Sequence, residues 1–431
     1  MLTVIVFIII LGVLIFVHEL GHFVTARRNG IRASEFGFGF PPRIVGFQFL
    51  TGKKHREKIE VESVRVEKMD IKLSDNEEII QETITEKMRK VDEVIPVRKW
   101  RIIWGNRDGD SEREMKDLSE ARENKYEGGT VYSINWIPLG GFVKIKGEGG
   151  ENKDDDDSFA GRPAWTRIRV LAAGVIMNFV LAWLLIAVVF MIGAPVAVDS
   201  TTAGNPASKV QISEVIPDSP ASAMGLQVGD EILKNDSLGT LEEVQNYINF
   251  HKGQEITLQV KRGNQILNLK GIPRVDAPAG QGALGIGLAE TVVVRYSFFQ
   301  AIWKGLTTML NLILAMLLAL YGILKHLIMG QGVGADVAGP VGIAVLTKQV
   351  TTLGLIYVLQ FAALLSINLG IINILPIPAL DGGRILFILI EKIKGSPISQ
   401  KTEQLFHTVG FILLIMLMIL VTFRDVMKFF K

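Results

Sequence analysis

The sequence contains no cysteine, so it can form neither a disulfide framework nor a thiolate metal site. Any transition metal must therefore be bound by nitrogen and oxygen ligands. A dominant charge is also missing, since 46 basic residues nearly balance 44 acidic residues and the net charge is +2. Such a chain has no overall field that attracts nucleic acid, and we expect no nucleic-acid partner.

Apolar residues, by contrast, are abundant, at 48% of the chain. The N-terminal apolar run lacks the basic region and cleavage site of a signal peptide, so we predict a retained helix. We therefore predict a polytopic α-helical membrane protein with about four spans. The predicted spans are Leu2 to Ala26, Ile168 to Ile192, Leu353 to Leu380, which Pro376 and Pro378 interrupt, and Phe411 to Phe423 with the turns before it.

Between the first two spans, the sequence predicts short loops and strands. Gly37 to Pro42 is rich in glycine and proline and predicts a loop. The intensely charged stretch 52–127 includes alternating polar and apolar residues at Lys58 to Val66, which predicts a solvated insertion that is β-rich or partly flexible. Thr130 to Glu148 predicts two short strands around a turn at Pro138 and the following glycines.

Residues 196–290 predict a separate α+β domain outside the membrane. Strand-like runs occupy Val210 to Val215, Glu255 to Val260 and Gln265 to Leu269, and a helix-like run lies near Leu241 to Ile248. This order resembles a PDZ domain, whose exposed sheet edge accepts an extended peptide as an added strand. The alternative is a small α+β domain with a structural or gating role.

Chemistry is concentrated in His18-Glu19-Leu20-Gly21-His22, within the first span. Two histidines four residues apart lie on one face of a helix, where both can bind one zinc ion. Glu19 lies beside that face and could take a proton from a water activated by the metal. Because ionisable groups are expensive on an apolar spanning helix, they indicate a functional, hydrated cavity. The alternative is a set of interfacial polar residues at the end of the helix.

A hydrolytic zinc site usually has three protein ligands, so a third ligand must lie elsewhere. Thr25 and Arg28 occupy the positions where one family of soluble zinc enzymes has glycine and histidine, which excludes that family. Asp381 is the best candidate, because it ends a broken apolar segment where a cavity-lining carboxylate is expected. It could instead cap the helix that follows. The remaining candidates are Glu35 and Glu57, which lie outside the span, and His326 and His407, which we assign to interfacial or packing positions.

Taken together, these motifs resemble the site-2 protease family, particularly its bacterial regulator of sigma E protease branch. The resemblance rests on the His-Glu-Leu-Gly-His motif, on Asn373 to Gly382, on Gly174 to Phe179 and on Ile137 to Lys144. It implies that His18, His22 and Asp381 bind Zn²⁺ and that Glu19 acts as the base. It also implies that the segment around Gly140, Gly141 and Phe142 pairs with an unwound substrate helix, and that Asn373 holds the substrate backbone.

The resemblance further implies an intramembrane zinc endopeptidase of the bacterial inner membrane that cleaves single-span substrates, such as anti-sigma factors or signal peptides. The PDZ-like domain would screen these substrates. An ion transporter and an inert PDZ-containing adaptor are the alternatives.

The sequence divides into seven predicted segments. They are 1–50 (first span, zinc motif and loop), 51–128 (charged insertion), 129–165 (membrane-associated β-hairpin and loop), 166–193 (second span), 196–290 (PDZ-like domain), 296–349 (interfacial or re-entrant segment) and 350–431 (C-terminal spans with the third ligand).

Topology constrains the remaining apolar segment, Phe298 to Ile328. For His18 and Asp381 to meet at one metal, their two spans must run in the same direction. The chain between the second span and Leu353 must then start and finish on one side, so we predict that Phe298 to Ile328 is interfacial or re-entrant. Basic residues after the first span and before the last predict that the active site faces the cytoplasm and that the PDZ-like domain is external.

Overall fold

The fold is described from a computed structural model, which covers residues 2–73, 77–105, 127–198, 208–233, 240–263, 265–278, 281–330, 339–396 and 398–427. The chain divides into two compact units, residues 1–32 with 138–431, and residues 33–137. Within its described residues, the first unit contains the helices α1 (Leu2–Arg28), α2 (Ala164–Ile192), α3 (Pro220–Met224), α4 (Leu241–Phe250), α5 (Phe298–Ile328), α6 (Pro340–Leu353), α7 (Leu355–Ile374), α8 (Asp381–Lys394) and α9 (Gln400–Met427).

Five of these helices are long and apolar enough to span a membrane, by length and composition: α1, α2, α5, α7 and α9. Four of them correspond to the four predicted spans. The fifth is α5, for which the sequence predicted an interfacial or re-entrant position. It forms one unbroken helix, and its position relative to the membrane stays a prediction.

The helices α1, α2 and α7 pack together, and their contacts define their directions. Ile10 and Leu14 of α1 cluster with Leu181 of α2 and Ala362 of α7. Further along α1, His18 and His22 lie beside an earlier part of α2, so α2 is antiparallel to α1. The chain from α7 likewise continues to Asp381 beside the two histidines. The predicted common direction of these two spans is therefore confirmed.

The helix α5 packs along the C-terminal half of α2. Trp183 donates a hydrogen bond from its indole nitrogen to the carbonyl of Ile302 at 2.8 Å. Gly305 lies so close to Ala187 that a Cβ on it would meet the Ala187 backbone nitrogen at 3.1 Å. A small residue at such a crossing allows two apolar helices to approach closely.

In its described residues, the second unit consists of three long strands, β1 (Ala33–Leu73), β2 (Glu77–Trp104) and most of β3 (Glu127–Ile145), in the order β2-β1-β3. β1 and β2 are antiparallel from Val45 paired with Trp104 to Leu73 paired with Glu77. The β-rich prediction for the charged insertion is thus confirmed for its described part, although residues 106–126 lie outside the described residues.

Two local predictions in this region are wrong. Gly37 to Pro42 belongs to β1 rather than to a loop, and the alternating Phe36, Phe38 and Phe40 fit the two-residue period of a strand. Thr130 to Ile145 lies in the single strand β3, not in a hairpin. Gly140, with φ +94°, provides close approach instead of chain reversal, because a Cβ there would meet the Ile15 side chain at 2.6 Å.

One face of the three-stranded sheet is apolar, aromatic and exposed. Register pairs Phe47 with Ile102 and Phe49 with Trp100, and directly paired residues share a face of a sheet. The exposed apolar side chains in β2 and β3 follow the two-residue period of a strand. They are Trp100, Ile102, Trp104, Tyr132, Ile134 and Trp136.

The described part of the predicted PDZ-like segment, with the residues that flank it, forms a six-stranded antiparallel sheet with two short helices, α3 and α4. The sheet order is β4-β9-β5-β6-β7-β8. Buried Ile256, Leu258 and Val260 alternate with exposed Thr257 and Gln259 along one strand, so one face of the sheet forms the core. The predicted strands and helix are confirmed in position, with bounds β4 (Ala194–Ala197), β5 (Lys209–Val215), β6 (Glu231–Ile232), β7 (Ile256–Arg262), β8 (Gln265–Gly271) and β9 (Ile286–Val294).

A buried ion pair stabilises this domain. The Asp230 side chain is fully buried, and it accepts hydrogen bonds from Arg262 Nε and Nη2 at 2.7 Å each and from the Gln227 backbone at 2.9 Å. The hydrogen bond to Asp230 raises the pKa of Arg262 above its ordinary value, so the arginine remains charged.

We expect Asp230→Ala to destabilise the PDZ-like domain by about 3 kcal/mol, because the substitution leaves Arg262 without its carboxylate; this is the low end for a buried pair, since Arg262 is partly exposed. In the full-length protein, amide hydrogen exchange in β5 and β7 should accelerate roughly 100-fold. Asp276→Ala, at an exposed position, is the control. Unchanged exchange in the Asp230 variant would show that the ion pair does not stabilise the domain.

Candidate active site

The two histidines and the aspartate that the sequence singled out meet in the first unit. His18 and His22 lie one turn apart on α1 and are both buried. Their Nε2 atoms are 3.1 Å apart. Asp381 Oδ2 lies 3.0 Å from His18 Nε2 and 3.4 Å from His22 Nε2. The predicted triad thus converges on one point, although Asp381 is more than 350 residues away in the sequence.

These three ligand atoms fit a zinc ion. Zinc–ligand bonds of about 2.0 to 2.2 Å in tetrahedral geometry place neighbouring ligand atoms about 3.3 to 3.6 Å apart, close to the three separations here. In addition, Asp381 Oδ2 is buried, and its polar neighbours are the Nε2 atoms of His18 and His22. Histidines that bind a metal through Nε2 carry no proton there, so a cation shared by the three atoms would satisfy the buried oxygen.

Asp381 is the first residue of α8, and the N-cap position before it is occupied by Leu380. This decides against the alternative in which Asp381 serves only as a cap. The two glycines that follow allow the turn to fold tightly, because a Cβ on Gly382 would meet the Ile374 carbonyl oxygen at 2.2 Å and one on Gly383 would meet the Ile377 oxygen at 2.2 Å. The loop backbone therefore packs directly on the start of α8.

Glu19 lies in the same cavity as the triad, a space of about 160 Å³ that can hold water. The backbone N–H of Val143 lies beside its carboxylate. Phe142, Val143 and Glu148 contribute to the wall of the cavity from the end of β3 and the turn after it. A carboxylate beside a metal-ligand triad, in a cavity with room for water, is what hydrolysis requires of a general base.

The predicted substrate-binding residues do not all line the cavity. Phe142 lines the cavity, while Gly140 and Gly141 are buried beside it in β3. Asn373 is half-buried near the end of α7, and it is not among the described residues that line the cavity. Their role in binding substrate stays a prediction.

The residues considered as other ligands have different partners. Glu35 forms a two-pronged ion pair with Arg43, with oxygen–nitrogen distances of 2.8 and 2.6 Å. His407 accepts a hydrogen bond at Nδ1 from the Ala379 backbone at 2.9 Å. Because Ala379 has φ +74°, an uncommon conformation for a residue with a Cβ, His407 supports the strained loop that leads to Asp381. The sequence predicted an interfacial or packing position for His407, and no local pattern indicates this support.

The chain matches a known protein family over most of its length. The model of peptidase family M50 matches residues 6–59 and 121–417, and these two ranges include all four residues of the candidate site. The chain belongs to peptidase family M50. The expected membership of the site-2 protease family is thereby confirmed. The unmatched stretch, residues 60–120, lies within the predicted charged insertion.

Known relatives align with this M50 chain over nearly the full length of both proteins. The regulator of sigma-W protease RasP from Bacillus subtilis is 30% identical, and the alignment covers 99% of both chains. The zinc metalloprotease RasP from Geobacillus kaustophilus is 30% identical over 99% of this chain and 98% of its own. A putative zinc metalloprotease from Clostridium perfringens is 30% identical over 96% and 95%. This M50 protein is accordingly a metalloprotease with Zn²⁺ as its cofactor, which favours the enzyme over the transporter and the adaptor.

Proposed function

We propose that this protein is an intramembrane endopeptidase of a bacterial inner membrane, which hydrolyses peptide bonds in the transmembrane or signal-peptide helices of single-span substrates. The observation that carries the proposal is the position of the site. His18, Glu19 and His22 lie on a helix that is long and apolar enough to span a membrane, and the helix that precedes Asp381 meets the same criterion. Ionisable groups in such segments are expensive and indicate function.

In the proposed reaction, His18, His22 and Asp381 hold Zn²⁺, which when bound polarises the substrate carbonyl and lowers the pKa of water. Glu19 takes a proton from the water as the water oxygen attacks the carbonyl carbon. Glu19 then gives this proton to the leaving nitrogen as the peptide bond breaks, so the products are a carboxylic acid and an amine, which become a carboxylate and an ammonium group once the acid's proton passes to the amine. The buried walls of the cavity exclude bulk water, which strengthens these electrostatic interactions.

A substrate helix must be unwound before its backbone can be attacked, because helical amides are already hydrogen-bonded. β3 is an edge strand of its sheet and ends with Phe142 and Val143 in the cavity wall. We infer that the unwound segment pairs with β3 near Gly140, Gly141 and Phe142, and that Asn373 holds its backbone. Strand addition of this kind presents a peptide bond in extended form.

The PDZ-like domain contains a groove suited to an extended chain. The groove lies between α4 and the start of β9, has a volume of about 170 Å³, and is lined by Ile248, Leu284, Ile286 and Leu288 among others. We propose that this domain is external and screens substrates in this groove.

We further propose that the active site faces the cytoplasm. The exposed aromatic face of the second unit would contact the bilayer, because tryptophan and tyrosine are enriched at membrane–water interfaces.

The substrate class is tested with purified protein in proteoliposomes and two single-span substrates, a membrane-anchored anti-sigma factor with its external domain removed and a signal peptide. The name of the Bacillus subtilis relative makes the anti-sigma factor the first choice. We expect cleavage within the span, located by mass spectrometry, and none after chelation until zinc is restored. Zinc-dependent cleavage only in soluble loops would contradict the intramembrane proposal.

A further inference from the structure

The helix α2 presents three consecutive turns to the two histidines. Val170, Gly174 and Asn178 are spaced four residues apart, lie on one face of α2 and are buried. Gly174 is the closest of the three, because a Cβ on it would meet His22 Nε2 at 2.4 Å and His18 Cε1 at 2.8 Å. Only glycine at this position leaves room for both imidazoles. His22 then reaches the backbone of Val170, one turn before Gly174, and His18 reaches the side chain of Asn178, one turn after it.

His22 is oriented by the backbone of α2. Its Nδ1 lies 2.8 Å from the carbonyl oxygen of Val170, and a carbonyl can only accept, so Nδ1 carries the proton. In a neutral imidazole the other nitrogen then has a free lone pair. His22 Nε2 is thus presented as a ligand toward Asp381.

His18 Nδ1 also contacts α2, but its partner is a side chain and not the backbone. The amide of Asn178 lies 3.1 Å from His18 Nδ1 through Nδ2, while Asn178 Oδ1 is buried with no hydrogen-bond partner. An amide can present either atom to its neighbour, since a half-turn about its last bond exchanges oxygen and nitrogen. Only the oxygen can accept from a protonated Nδ1, and only that tautomer leaves His18 Nε2 with a lone pair for a metal.

We propose that Asn178 is a positioning residue that accepts a hydrogen bond from His18 Nδ1–H through its side-chain oxygen and so selects the metal-binding tautomer of His18. This rests on the proposed role of His18 as a zinc ligand. Asn178 contacts neither substrate nor metal. Metal-bound histidines generally donate their second N–H to an acceptor of this kind, and its loss typically costs 10- to 100-fold in metal affinity.

A neighbouring hydrogen bond supplies a matched control. Ser366 Oγ of α7 donates to the backbone oxygen of Asn178 at 2.7 Å. Ser366→Ala removes this bond and leaves the Asn178 side chain in place. It therefore tests whether any perturbation of this buried helix contact weakens metal binding.

The experiment measures the zinc dissociation constant of the full-length protein in detergent, by competition with a chromophoric chelator, and the visible spectrum of the Co²⁺ form. We expect Asn178→Leu to raise the dissociation constant roughly 10- to 100-fold and to change the Co²⁺ bands. Asn178→Asp, whose carboxylate also accepts from Nδ1–H, should stay within about threefold of wild type. Ser366→Ala should match wild type. If Asn178→Leu does not fold, Asn178→Val replaces it.

A folded Asn178→Leu protein with wild-type zinc affinity would overturn the proposal. Equal weakening by Ser366→Ala and Asn178→Leu, or failure of Asn178→Asp to restore affinity, would also overturn it, because each would indicate a packing effect. Failure of the proposed zinc site is distinguishable, since zinc affinity would then be insensitive to His18→Ala and Asp381→Ala in the wild-type background.

Discussion

Glu19→Gln is expected to lower kcat/KM for a single-span substrate by roughly 100- to 10,000-fold while zinc content stays at the wild-type level. Glutamine has nearly the same shape as glutamate, and its side-chain oxygen can still face the backbone N–H of Val143. The amide cannot take a proton from water, however, and general acid–base catalysis contributes about this factor. Cleavage rates and bound zinc are measured on the same preparation in proteoliposomes.

Glu242→Gln is the matched control, because it makes the same chemical change on an exposed face of α4 in the PDZ-like domain. It should cleave as fast as wild type. A Glu19→Gln protein that retains zinc and cleaves at the wild-type rate would refute the assignment of Glu19 as the base. Loss of zinc together with activity would instead place Glu19 among the residues that hold the metal.

Asp381→Asn is expected to weaken zinc binding by more than the roughly 10- to 100-fold that loss of an outer hydrogen-bond partner costs. In the proposed site, Asp381 supplies one of the three protein ligand atoms, and it is the anionic one of the three. A neutral amide is a weaker ligand for Zn²⁺ than a carboxylate, and it also removes the charge that attracts the cation. Zinc affinity is measured by chelator competition, and cleavage should be lost at zinc concentrations that saturate the wild type.

Asp156→Asn serves as the comparison, since it neutralises an exposed aspartate of the acidic run after the turn that follows β3. Zinc affinity and cleavage should be unchanged in that variant. If Asp381→Asn bound zinc as tightly as wild type, another residue would have to supply the third ligand. If Asp156→Asn weakened zinc binding instead, the acidic run would be the metal site.

The parts of the fold that depend on local sequence could be predicted. Apolar runs gave the positions of α1, α2 and α7, because about 20 apolar residues fit only a helix across a bilayer. The four-residue spacing of His18 and His22 placed both on one helix face. Asp381 was predicted from its place after a broken apolar segment, since such a segment needs a cavity.

The parts that depend on distant partners could not be predicted locally. Gly37 to Pro42 indicated a loop, yet these residues lie in β1, whose pairing with other strands no neighbouring residue reveals. Gly140 indicated a turn, but its positive φ accommodates the close approach of α1. Asn178 belonged to a matching motif without a role, because its contact with His18 exists only once α1 and α2 are packed together.

The separation of the metal ligands along the chain has a consequence for biosynthesis. A ribosome completes His18 and His22 early, whereas Asp381 follows more than 350 residues later. Until α8 has been made and folded against α1, the growing chain has only two of its three ligand atoms. If the proposed site is correct, proteolytic capacity therefore arises only after both helical segments have been made and packed together.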